Sequence, residues 1–132
     1  MYDIYYAHHQ WKYGTKIEEY EIDFIRKYFP MANIFNPATD LQCVKYGLPD
    51  ESKIMDECLR TVENSDIFVF SSMDGVIGKG VYREVKKAKE TGKIIFYIFN
   101  NILIHGSYVE IKKIKADNDR LFAMVAVRGG NN

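Results

Sequence analysis

The chain has 132 residues, enough for one compact domain spanning 1–132 and little more. Its 47% apolar and 27% charged residues are those of an ordinary soluble globular chain. Eighteen basic residues balance eighteen acidic ones, which excludes a strong electrostatic footprint for polymeric nucleic acid or an anionic membrane surface; two cysteines, Cys43 and Cys58, exclude a disulfide scaffold or a four-cysteine zinc site.

The N-terminal stretch Met1–Ala7 is too short and too polar for a signal peptide. The longest apolar run, Ile94–Phe99, falls far below the ~20 residues a membrane helix needs. The expected address is the cytoplasm. Ile4–Ala7 reads as a buried first strand, followed by a polar loop from His8 to Gly14. Thr15-Lys16-Ile17-Glu18 fits a capping box, in which the hydroxyl and the carboxylate satisfy orphan amides reciprocally. The helix behind it predicts Ile17, Tyr20, Phe24, Ile25 and Tyr28 on one buried face, and Pro30 ends it. Ala32–Phe35 is a short second strand stopped by Asn36-Pro37. Residues 38–49 fit a loop or a short helical turn equally well. Pro49-Asp50 starts a helix that buries Ile54, Met55, Cys58, Leu59 and Val62, with Asp56 and Glu57 mostly on its solvated side.

Asp66–Phe70 is the clearest strand, with four consecutive apolar residues as expected for a parallel strand covered on both faces. Ser71–Gly80 is glycine-rich and reads as a loop. A helix follows from about Gly80 to Thr91, with Gly92 as its C-terminal cap and Lys86, Lys87 and Lys89 at the negative end of its dipole. Lys93–Phe99 is a fourth strand. Beyond it Tyr108–Ile114 alternates loosely, Leu121–Val127 is apolar enough for a final strand, and Gly129–Asn132 reads as a frayed tail. The alternation of strand and helix implies an α/β fold: a doubly wound, flavodoxin-like parallel sheet of about five strands with helices on both faces. In order 2-1-3-4-5 the ligand crevice lies between the loops after strands one and three, which begin at Ala7 and Ser71.

Glu84 is the most informative residue. It falls in the stripe of Val81, Val85 and Ala88, where a carboxylate is costly unless paired or functional. Near a helix N-terminus such a carboxylate can stay ionised in a dry crevice, as a nucleophile or general base requires. An edge position reaching water is the competing reading. Tyr5, near the carboxyl end of strand one, is placed to aim its hydroxyl into the crevice, with Tyr6 facing the other side. Gly75-Val76-Ile77-Gly78-Lys79-Gly80 lets backbone amides approach a phosphate or sugar, although it is neither GxGxxG nor a P-loop. Ser71 and Ser72 are placed to donate to a sugar or phosphate. His8 and His9 are adjacent and diverge, so no metal site is expected, and no cofactor. Cys58 reads as a buried, inert thiol.

Together these residues resemble the nucleoside 2-deoxyribosyltransferase superfamily, including the deoxynucleoside 5′-monophosphate N-glycosidases. The resemblance covers residues 2–99. It is carried by Ile4–Ala7, by Asn64-Ser65-Asp66 leading into Ile67–Phe70, and by Gly80-Val81-Tyr82-Arg83-Glu84 followed by Ala88 and Gly92–Ile95. It implies that Glu84 is the nucleophile and that Tyr5 contacts the glutamate or the sugar. Ala7, His8, Ser71, Ser72, Asp74, Gly78 and Gly80 are then substrate-binding candidates. Where the family carries an aspartate or serine, this chain has Gly78, with Asp74 or Ser72 as substitutes. Where the family carries an aspartate that handles the proton of the leaving base, this chain has Cys58, with Asp56 two residues away.

The implied activity is cleavage or transfer at the N-glycosidic bond of a nucleoside or its monophosphate, in a homo-oligomer. Three other readings stand beside it: a non-catalytic nucleotide-binding module, a TIR-like domain that cleaves NAD, and a plain interaction domain with Glu84 exposed.

Overall fold

A computed structural model describes residues 1–47, 49–73 and 75–106, and the backbone of 109–115 and 121–127. Strand β1 (Asp3–Ala7) leads through a 3-10 turn (Gln10–Lys12) into helix α1 (Lys16–Tyr28). Strand β2 (Asn33–Phe35), two one-turn helices, α2 (Pro37–Asp40) and α3 (Gln42–Lys45), and the longer α4 (Glu51–Asn64) follow. Then come β3 (Ile67–Phe70), β4 (Val76–Gly78), α5 (Lys79–Glu90), β5 (Ile94–Phe99), β6 (Ile102–His105), β7 (Val109–Lys115) and β8 (Leu121–Val127).

The main sheet has order β2-β1-β3-β5-β6. Its first four strands are parallel and β6 closes the edge antiparallel. This is the flavodoxin-like α/β arrangement expected from the sequence. The antiparallel edge has a local cause. Asn100 and Asn101 both take positive φ, 47° and 62°, which gives a two-residue hairpin turn and folds β6 back on β5. A second sheet, β4-β8-β7, is antiparallel. Part of the glycine-rich segment is therefore strand and not loop. Gly75, at φ 84°, turns the chain so that Val76 pairs back with Met73, and Ile77 is fully buried. The tail Gly129–Asn132 lies outside the described residues.

Alternation along the strands splits the core in two. Tyr5, Ala7, Phe68, Phe70, Ile95 and Tyr97 pack on one face against Cys58 and Val62 of α4 and Val81, Val85 and Ala88 of α5. Ile4, Tyr6, Ile67, Val69 and Ile98 pack on the other against Phe24 and Ile25 of α1. Each such fully buried large apolar side chain contributes about 1.5–3 kcal/mol relative to exposure.

Helix α1 corrects the sequence reading. Ile17, Tyr20 and Tyr28 are 54%, 52% and 50% exposed, while Glu18 and Glu21 are only 7% and 6% exposed. The helix is turned so that two carboxylates face inward, because partners wait for them there. Glu21 meets Lys12, Tyr6 and Ser71, and Glu18 meets His8. The capping box is half as expected. Thr15 Oγ1 accepts from the Glu18 amide at 3.3 Å, but the Glu18 carboxylate accepts from Gly14 N at 3.1 Å and leaves Thr15 N to the carbonyl of Lys12.

Glu57 is likewise buried rather than solvated. Its carboxylate accepts from Gln42 N at 2.7 Å and Cys43 N at 2.8 Å. It thereby caps α3, whose own N-cap Leu41 has no side-chain acceptor. Glu57→Ala is expected to lower stability by about 1–2 kcal/mol, measured by urea unfolding; an unchanged midpoint would show that water caps α3 equally well.

Candidate functional site

The strand order reverses between β1 and β3, so the loops after these strands part and leave a crevice at their carboxyl ends. Tyr5 points to the α4/α5 side of the sheet, held between the rings of Phe35 and Phe68 at centroid distances of 5.4 and 5.8 Å. Glu84 sits in the second turn of α5 on the stripe with Val81, Val85 and Ala88, as the spacing predicts, and is only 5% exposed. The Tyr5 hydroxyl donates a short hydrogen bond to Glu84 Oε2. Cys58, from α4, completes a triangle: its thiol interacts with both the phenol and the carboxylate.

Burial governs the ionisation of all three. It raises the Glu84 carboxyl from 4.5 to about 7, although the Tyr5 and Cys58 hydrogen bonds act in the opposite sense. The same burial, reinforced by the charge of Glu84, pushes the Cys58 thiol up to about 12 and the Tyr5 phenol well above its ordinary value. Near neutral pH the phenol and the thiol therefore stay protonated, and Glu84 is the group that titrates.

Glu84 and Cys58 line a cavity of about 470 Å³. Its walls are His8, His9, Trp11 and Tyr13 from the loop after β1, Met55 from α4, and Gly78, Gly80 and Arg83 at the start of α5. The two glycines are fitted to this wall. A Cβ on Gly78 would lie 3.2 Å from Cδ2 of His9, and one on Gly80 would lie 3.4 Å from Cε of Met55. A second hollow of about 420 Å³ beside the start of β1 includes Asp3 and Asp40, neither of which is buried.

The other sequence candidates fall in three groups. Ala7, the last residue of β1, is fully buried, and its carbonyl accepts from Ser71 N at 3.1 Å. His8 lines the cavity but is tied down: its ring stacks on Tyr6 at 3.9 Å and its Nε2 meets Glu18 at 2.6 Å. Burial lowers the His8 pKa, with the Glu18 contact opposing. Ser71 and Ser72 do not line this cavity. Ser71 Oγ donates to Glu21 at 2.7 Å, and Ser72 Oγ pairs with the Tyr97 hydroxyl at 2.6 Å. Asp56 is exposed on α4 and outside the lining; Cys58 holds the place beside Glu84. Asp74 lies outside the described residues.

From sequence, His9 is weighed only as a metal ligand, and Trp11 and Tyr13 are not singled out; all three line the cavity from the loop after β1. Nothing in the apolar periodicity signals Lys12, because that periodicity turns Ile17 and Tyr20 inward in place of Glu18 and Glu21, the carboxylates that Lys12 and His8 meet. Among the described residues no three metal-ligating side chains come together, and no helix is long and apolar enough to cross a membrane. No protein-family model and no curated protein matches the chain.

Proposed function

We propose that this protein cleaves or transfers at the N-glycosidic bond of a deoxynucleoside or its monophosphate, with Glu84 as the nucleophile. One observation carries the reading: a buried carboxylate, held by a phenol, faces a 470 Å³ cavity at the switch point of the sheet. Such a carboxylate is only weakly solvated, and its raised pKa leaves it ionised in part at neutral pH and nucleophilic when it is. Tyr5 fixes the oxygen that does not attack. Glu84 attacks C1′, the base departs, and a glycosyl ester forms; water or a second base resolves it with net retention. The site needs no cofactor. The same reading includes a cytoplasmic homo-oligomer acting on a small molecule.

A second reading, a nucleotide-binding module without turnover, is favoured by Cys58 standing beside Glu84 while Asp56 points to solvent. One experiment separates the two. The protein is incubated with deoxynucleosides, their monophosphates and NAD, and free base is measured by chromatography. Base release from a deoxynucleoside or monophosphate, absent in Glu84→Ala, is the expected result. Binding with no release from any of them establishes the module. Release from NAD alone establishes the TIR-like chemistry.

A further inference from the structure

We propose that the outer face of α1 is the surface on which this protein pairs with a second copy of itself, the two helices lying antiparallel across a two-fold axis. The inference stands apart from the chemistry of Glu84, because α1 packs on the opposite face of the main sheet from α4 and α5.

Helix α1 is apolar on two sides. Inward, Phe24 and Ile25 join the core. Outward, Ile17, Tyr20 and Tyr28 are half-exposed, and Met31 just beyond the helix is more so. Ile17, Tyr20, Phe24 and Tyr28 follow one another in steps of three and four, so they form one stripe along a helix about 20 Å long. The stripe is already ordered. Phe24 lies between the two tyrosines, 6.3 Å from the Tyr20 ring and 5.1 Å from the Tyr28 ring, and the Tyr20 hydroxyl donates to Asn101 Oδ1 in the β5–β6 turn. Aromatic side chains fixed in this way lose little freedom on association, and tyrosine is enriched at protein interfaces. An interface of standard size takes about 800 Å² from each partner, a tenth of this chain's 7988 Å². A helix of this length, flanked by Met31 and by the bonded β5–β6 turn, is long enough to supply it.

The charges select the occupant. Lys16, Asp23 and Lys27 are exposed and border the stripe on one side, while Glu21 on the other side is buried against Lys12. In a parallel pair of helices Asp23 would face Asp23 and Lys27 would face Lys27. In an antiparallel pair the same border of both helices meets in reverse order, and each Asp23 faces the partner's Lys27. Two identical ion pairs then flank an axis at the level of Ile25, and the two helix dipoles oppose each other. An anionic membrane, or a partner of one charge sign, would meet both signs along this border. The chain's own C-terminal strands are engaged elsewhere: β8 pairs with β4, just ahead of α5.

The test is the mass in solution, measured by sedimentation over a range of concentrations. Wild type is compared with the double variant Tyr20→Ala, Tyr28→Ala, with Asp23→Lys, with Lys27→Asp, and with the double swap Asp23→Lys, Lys27→Asp. Circular dichroism first checks that each is folded. Wild type is expected at twice 15.4 kDa. Removing both rings is expected to weaken the dimer by about thirtyfold or more. Each single swap is expected to weaken it by about tenfold, and the double swap to recover to within about threefold of wild type. If the tyrosine variant fails to fold, the swaps at exposed positions carry the test. A monomeric wild type, a dimer indifferent to the rings or to the single swaps, or a double swap no better than the single ones overturns the pairing. Base release is measured on the same samples. A monomer that releases base overturns this interface and leaves the glycosidic reading standing, and a dimer that releases none does the reverse.

Discussion

Replacing Glu84 by glutamine is expected to abolish base release while making the fold more stable above pH 7. The first effect follows from losing the attacking oxygen and is expected to reach roughly 10⁴-fold or more in turnover, the scale of removing a member of a catalytic group. The second follows from linkage. Glu84 has a folded pKa of about 7 against an ordinary value of 4.5. Between those pH values the native state holds a proton that the unfolded chain has lost. The stability tied to that proton is complete below pH 4.5 and is lost as pH rises through 7. The interval from 4.5 to about 7 corresponds to about 3 kcal/mol as an upper bound. Glutamine is neutral throughout and keeps an acceptor for the Tyr5 hydroxyl. His8, with its lowered pKa, contributes a slope of the opposite sign, since its stabilisation is lost as pH falls. The difference between wild type and Glu84→Gln cancels that slope. Urea unfolding at pH 5 and pH 8 measures it: the variant is expected to gain on wild type by up to about 3 kcal/mol at the higher pH. Parallel curves would mean that the carboxylate is not dry, and would remove the basis for its nucleophilicity. A gain in stability with a loss of activity is the signature of a group kept for its chemistry.

The architecture was legible because the strongest signals in the chain were long-range ones in disguise. Ile67–Phe70 reads as a strand buried on both faces, and strand order puts Tyr5 at the crevice; periodicity leaves Glu84 between the crevice and a solvated edge, and the structure places it in the crevice beside Tyr5. What stayed hidden depended on partners distant in sequence. Ile17, Tyr20 and Tyr28 outscored Glu18 and Glu21 as a buried face because apolar periodicity counts hydrophobicity and not pairing. The preference reversed once Lys12, Tyr6, His8 and Ser71 supplied donors to the carboxylates. Glu57 was misplaced in the same way, because the amides it caps lie 14 and 15 residues earlier in the chain. Ser71 and Ser72 sit where the sheet ends, as strand order predicts, yet their hydroxyls turn to Glu21 and Tyr97. Position along a strand predicts which end a residue reaches, while the choice of face depends on what has packed there. His9 was discounted because two adjacent histidines make a poor metal pair. Its place over Gly78 depends on a side chain that position 78 lacks.

Lys12 is expected to be the costliest single substitution outside the cavity. It is 4% exposed, and its ammonium group is held by Glu21 at 2.9 Å, by Ser71 Oγ at 2.9 Å and by the carbonyl of Ser72 at 2.8 Å. The Glu21 carboxylate is in turn held by Tyr6 and Ser71. Lys12→Met removes the cation and leaves a buried carboxylate with only neutral donors, so a loss of about 3–5 kcal/mol is expected. The double variant Lys12→Met, Glu21→Gln removes both charges and is expected to recover much of that loss. A double-mutant cycle by urea unfolding at pH 7 should give a coupling of about 1–3 kcal/mol; additive losses would show that the ammonium acts through the serine contacts and not through the ion pair. The same substitution should reach the cavity. Lys12 closes the 3-10 turn that begins one residue after His9 and includes Trp11, and its contacts to Ser71 and Ser72 bind that turn to the end of β3. Loosening it lets the wall opposite Glu84 move without touching Glu84 itself. Base release by Lys12→Met, assayed at a temperature where the variant remains folded, is therefore expected to fall through weaker substrate retention. Recovery in the double variant should be less complete for activity than for stability, because neutralising Glu21 removes the unpaired charge but does not restore the tether.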